Sequence, residues 1–91
     1  MAEKIRCAHI LVKTEQEAKE IYEDLVDGVS FKALAEMKSL CPSRKRGGDL
    51  GQFGRGQMVK PFEKAAFALE KGQLSQPVKT EFGWHVIKRL E

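Results

Sequence analysis

Ninety-one residues, 42 % of them apolar, are enough for one domain around one core and leave no room for a second. A formal charge of +3, from 16 basic and 13 acidic side chains interspersed along the chain, suits solubility and argues against nucleic acid as a main partner. The opening MAEKIRCAHI has no long apolar run, no stretch approaches membrane-spanning length, and Cys7 and Cys41 are too few for a disulfide framework, so a cytoplasmic chain with no membrane partner is expected.

The first predicted element is a strand over Ile5 to Val12, rich in β-branched and apolar residues and expected to be buried on both faces. Alternation puts Cys7, His9 and Leu11 on one side and Ala8, Ile10 and Val12 on the other. Thr14 to Glu17 then forms a capping box, the hydroxyl accepting from a first-turn amide and the carboxylate reaching back. Behind it Ala18, Ile21, Tyr22, Leu25 and Val26 recur at helical spacing as one apolar stripe, and Gly28 is placed to end the helix. Ser30 caps a second, shorter helix that turns Phe31, Leu34 and Ala35 inward and fades near Ser39 into a loop holding Cys41.

Residues Pro42 to Gly48 combine proline, serine, two glycines and the basic run Arg44-Lys45-Arg46, the chemistry of a loop or a single turn. A short strand is expected around Leu50 to Phe53. Pro61 suits the first turn of a third helix, whose stripe is Phe62, Ala65, Ala66 and Leu69 and whose end falls at Gly72. Two strands follow, Gln76 to Lys79 and Trp84 to Leu90. The last sets His85, Ile87 and Arg89 against Trp84, Val86, Lys88 and Leu90. Strands at both ends with helices grouped between them make an α+β fold.

Four segments then carry a resemblance: HILVK at His9 to Lys13, Cys41, GGDLGQFGRGQMVKPF from Gly47 to Phe62, and EFGWHVIK from Glu81 to Lys88. In order and spacing, over about Ile5 to Leu90, the chain resembles the parvulin family of peptidyl-prolyl cis/trans isomerases, with the compact stand-alone prokaryotic members as the nearest pattern. The resemblance implies a four-stranded antiparallel sheet with surrounding helices, an FKBP-like superfold. It also implies a monomer with no cofactor and no metal, acting on proline-containing peptides and unfolded protein clients.

Rotation about a peptide bond preceding proline meets a barrier of ~18–20 kcal/mol. Twisting destroys amide resonance, so a catalyst has to hold the ring, strip water from the carbonyl and favour the twisted geometry over the planar one. Seating a pyrrolidine ring supplies only about 2–3 kcal/mol, so weak substrate binding is expected.

By the resemblance, Leu50, Met58 and Phe62 form the proline pocket and Phe82 stands at its rim, near the residue beside the proline. As residues alone, the first three read as core. His9 and His85 fall on strands that pair centrally in the family, and Thr80 joins their hydrogen-bonded network. That network orients the site, with direct proton transfer as the alternative. Cys41 takes a position where the family has cysteine or aspartate. Three roles stand open for it: a noncovalent one opposing the carbonyl dipole, a thiol nucleophile activated by the imidazoles, and mere filling of space. Arg44, Lys45 and Arg46 make a candidate specificity loop favouring an acidic residue before proline, or a solvated turn.

Parvulins that read phosphoserine- or phosphothreonine-proline carry a long basic loop after the first strand and a small tryptophan-containing domain. Here Lys13 runs straight into Thr14 and Glu15, and one lysine cannot present the paired guanidinium geometry that phosphate prefers, so phosphate dependence is not expected. Two other classes are weaker. A binding module using Lys4, Arg6, Lys13 and the basic run has no aromatic stacking platform. A metal or thiol site drawn from Cys7, His9, Cys41 and His85 matches no zinc spacing.

Overall fold

The computed structural model describes residues 4–91, so the first three residues of the segment searched for a leader lie outside the described part. In chain order the elements are β1 (Lys4–Val12), α1 (Glu15–Val26), α2 (Phe31–Lys38), a 3-10 turn (Pro42–Arg46), β2 (Asp49–Gly54), α3 (Lys60–Ala68), β3 (Val78–Thr80) and β4 (Gly83–Arg89). The four strands form one antiparallel sheet in the order β2-β1-β4-β3. The two terminal strands are therefore its centre, buried on both faces as their apolar composition requires.

Pairing of β1 with β4 runs from Cys7 opposite Arg89 to Val12 opposite Trp84. This register divides the core in two, because alternate residues of both strands face opposite ways. On one side Ile5, Cys7 and Ile87 pack with Phe53 and with Phe62, Ala66 and Leu69. On the other, Ile10, Val12 and Val86 pack with Ala18 and Ile21 of α1 and with Leu34 and Ala35 of α2.

Local signals placed the helices. The Thr14–Glu17 capping box forms with both of its hydrogen bonds, and the Ser30 hydroxyl accepts from the Ala33 amide. Pro61 lies in the first turn of α3. Three expectations need correction. Val26, the last residue of α1, is 62 % exposed rather than part of the buried stripe. Helix α3 stops at Ala68, because Leu69 turns extended and is buried, its carbonyl accepting from Arg89 Nη1 at 2.6 Å. Finally, β3 begins at Val78, not at Gln76. The segment before it runs beside β4 through a Leu74–Lys88 bridge and through bonds of Gly72 and Gln73 with Arg89 and of Ser75 with Ile87, and Pro77, which has no N–H to give, interrupts the ladder.

Candidate functional site

The first core cluster is not closed over. Between the sheet and the start of α3 it opens into a cleft of about 470 Å³ lined by Leu50, Met58, Phe62 and Phe82, by His9 and Cys41, and by Leu11, Leu40, Pro42, Gln57 and Val59. The four residues expected for substrate thus meet in one place. Phe62 is 3 % exposed and belongs fully to the core, whereas Leu50 and Met58 are half-buried against it. Core and pocket are the same for Phe62, so neither sequence-based alternative excluded the other.

The segment carrying Met58 is fixed from both sides. Gln57 Oε1 accepts from the Gly54 amide and Glu63 Oε1 from the Gly56 amide, each at 2.6 Å. Arg55 lies 4.4 Å over the Phe67 ring and 3.6 Å from Glu63, tying the loop to α3. The opposite wall depends on Ser39, which the sequence offered only as a helix end. Its buried hydroxyl accepts from the Leu11 amide at 3.1 Å and the Cys41 amide at 3.3 Å. The Leu40 amide donates to the Leu11 carbonyl at 2.8 Å. The loop that presents Leu40 and Cys41 is therefore stitched to β1. A serine just after a helix, before the expected active cysteine, was the available signal.

Behind the cleft lie the histidines. His9 on β1 and His85 on β4 are diagonal neighbours across the central pair, since His85 faces Leu11 and His9 faces Ile87. Their rings are nearly parallel, with Nδ1 to Nδ1 at 2.9 Å, and Phe62 stands perpendicular to both. His85 Nε2 lies 2.7 Å from the Thr80 hydroxyl oxygen, which also accepts from the Phe82 amide at 3.1 Å. Only His9 of these network residues lines the cleft; His85 and Thr80 hold it from the rear. Gly48 supports the same strand. Its carbonyl accepts from the His9 amide, and at φ +87° any side chain there would strike the His9 carbonyl oxygen.

Burial pushes His9 down to about 4, with the nearby His85 adding to the effect, and burial alone pushes His85 down to about 4. Both imidazoles are neutral at pH 7, so each offers one donor and one acceptor. If Thr80 donates to His85 and His85 to His9, only the His9 Nε2–H is left without a partner among the described residues. The reverse order strands both the His9 Nε2 lone pair and the Thr80 proton. The first arrangement leaves fewer buried groups unpaired, and we assign it.

Arg44, Lys45 and Arg46 are exposed on the 3-10 turn, and none lines the cleft. Arg46 Nε donates to the Asp49 carbonyl at 3.4 Å. The alternative metal set does not assemble among the described residues: Cys7 is sealed in the core, where burial pushes its thiol up to about 11.

Residues 9–91 match the family described as rotamase, the PPIC-type PPIase domain. The chain is 56 % identical over 86 residues to foldase protein PrsA 4 of Bacillus cereus, an alignment covering 93 % of this chain and 31 % of that protein. It spans about a third of the length of the curated relatives it matches. Among solved structures, NmPin, the parvulin of Nitrosopumilus maritimus, superposes with a TM-score of 0.89 at 49 % identity, covering 100 % of this chain and 99 % of that one. CsPin, from the psychrophilic archaeon Cenarcheaum symbiosum, gives 0.87 at 58 % identity, covering 100 % and 95 %. With the sheet order, the cleft and the histidine pair in place, these matches establish that the chain belongs to the PPIC-type peptidyl-prolyl isomerase family, the parvulins.

Proposed function

We propose that the cleft accelerates cis/trans rotation about the bond preceding proline without a covalent intermediate, in peptides and unfolded protein clients. One observation carries this: an apolar cleft floored by Phe62, whose polar side chains are confined to His9, Cys41 and Gln57. Leu50, Met58 and Phe62 seat the ring. A planar amide has the larger charge separation, so walls that cannot solvate its carbonyl disfavour it relative to the twisted form. Cys41 faces the same space with a polarisable sulfur that opposes the carbonyl dipole. Thr80 and His85 are positioning residues, keeping His9 neutral and in one orientation.

The action is independent of phosphate, because no cation lines the cleft and Arg44, Lys45 and Arg46 are solvated. General folding assistance is the physiological role, supported by the foldase relatives. We place it in the reducing cytoplasm, where the free thiols of Cys7 and Cys41 persist.

The test is a prolyl isomerisation assay on an alanyl-proline peptide, with and without a chelator. Catalysis untouched by chelation is expected, and its absence removes the proposal. Phosphoserine before proline should give no more than the glutamate analogue, and neutralising Arg44, Lys45 and Arg46 together should change either by less than about twofold, as for screened surface charges. Cys41→Asp should keep measurable activity while Cys41→Ala loses part of it. A folded but dead aspartate variant would instead require a thiol nucleophile.

A further inference from the structure

Resting on the proposed isomerase activity and going beyond it, we infer that a second hollow, on the side of α3 turned away from the prolyl cleft, docks an acidic segment of the client chain several residues from the proline. It has a volume of about 430 Å³ and is lined by Arg55, Lys60, Glu63, Lys64, Phe67 and Ala68, none of which lines the cleft. Lys60, Glu63, Lys64 and Phe67 share one face of α3, roughly opposite Phe62 by the helical period. Three cations meet one carboxylate there, and that carboxylate is engaged at both oxygens. Glu63 Oε1 accepts from the Gly56 amide, and Oε2 lies 3.6 Å from Arg55 Nη1. Lys60 and Lys64 are exposed and pair with no carboxylate among the described residues. Local physics opposes this placement twice. Lys60 opens the helix, where the backbone dipole repels a cation, and Lys64 repeats the charge one turn on, where like charges repel. No described residue offsets the two costs, which marks the pair as placed for a group outside the chain.

The geometry selects the ligand. Side chains one helical turn apart have Cβ atoms about 5–6 Å apart, close to the ~6.5–7 Å between alternate side chains of an extended peptide. Two carboxylates in a Glu-Xaa-Glu register therefore reach both ammonium groups. A nucleic acid fits poorly, because Arg55 already lies 4.4 Å over the Phe67 ring and takes the face on which a base would stack. A lone phosphate finds no free fork, since the Arg55 guanidinium is held by that ring and by Glu63. A helix is about 10 Å across and an extended chain covers ~3.3–3.6 Å per residue, so a client whose proline rests against Phe62 needs about four to six residues to pass round the start of α3. The two sites keep a fixed relation, because the Gly54–Gln57 and Gly56–Glu63 bonds hold the loop between them.

The experiment measures kcat/KM on alanyl-proline peptides of one length that carry Glu-Ser-Glu remote from the proline on either side, Glu-Ser-Glu next to it, or Gln-Ser-Gln in the same places. One remote glutamate peptide should exceed its glutamine counterpart by about threefold to tenfold, the factor that two exposed ion pairs support, and the gain should lie in KM. It should vanish near 1 M salt, where the screening length is ~3 Å. Lys60→Gln with Lys64→Gln should abolish the gain while the glutamine peptides turn over as before. Lys60→Glu with Lys64→Glu should transfer it to a Lys-Ser-Lys peptide, and circular dichroism verifies that these exposed changes leave the fold intact. Neutralising Arg44, Lys45 and Arg46 should leave the gain in place. Polyglutamate should compete it away, and oligoadenylate of equal charge should not; the reverse order overturns the assignment to a peptide. Turnover of the glutamine peptides with no remote-glutamate gain overturns this inference alone. So does a gain that survives both lysine variants, or one that the basic run controls as strongly. No turnover of any peptide removes the isomerase proposal itself.

Discussion

The two faces of the sheet are built from the same two strands and serve different ends. On one, Ile10, Val12 and Val86 are covered by α1 and α2, and every member of the cluster is apolar. On the other, Ile5, Cys7 and Ile87 are buried with residues of α3, and beside them the face opens into the cleft, with His9 in its wall and His85 behind it. A binding site here is a core left unfinished, and the price is a pair of buried polar rings beside it. The closed face should govern stability and the open face activity.

The strongest way to break that division is Ile10→Ala on the closed face, where the residue is fully buried. Stability should fall by about 2–5 kcal/mol, while kcat/KM per folded molecule stays within about twofold. Denaturant unfolding beside the isomerisation assay measures both. Activity falling in step with stability would show that the faces are not separable.

Acid comes next in size. Both histidines have folded pKa values near 4 against about 6.5 unfolded, so the unfolded chain binds more protons between those limits. The stability they contribute is complete above about pH 6.5 and is lost as pH falls toward 4, roughly 1–2 kcal/mol per histidine by pH 5. Because the closed face has no such group, NMR signals of Phe62 and Met58 should broaden or shift before those of Ile21. Imidazoles titrating near 6.5 in the folded protein would sink the neutral network.

The smallest effect sharpens the comparison from the open side. Met58→Ala removes a half-buried wall, so stability should drop by less than about 1.5 kcal/mol while kcat/KM drops about tenfold. Phe62→Ala cannot serve for this, since Phe62 packs against Phe53 at 6.1 Å between ring centres and is core as well as floor. Wild-type catalysis by the methionine variant would remove Met58 from the pocket.

What could be read from the residues followed the range of the interactions involved. Thr14 with Glu17, Ser30 with Ala33, and Pro61 act within one turn, so their helices were legible. The alternation of His9 and His85 was legible too, but only the family resemblance made their strands neighbours. Ser39 escaped notice because its two partners include Leu11, 28 residues away. The end of α3 was missed because Leu69 is held by Arg89, a contact across 20 residues that periodicity cannot register.

The central pairing of β1 with β4 also sets a timetable. His9 and His85 are 76 residues apart, and both core clusters need strands from the two ends. Closing so long a loop costs entropy before any contact repays it, so folding should be slower than the helical content alone suggests. During synthesis at about 5–20 residues per second, the nascent chain has neither face of its sheet until Gly83–Arg89 has emerged. The cleft has no partial form on the way: it is complete only with the arrival of β4.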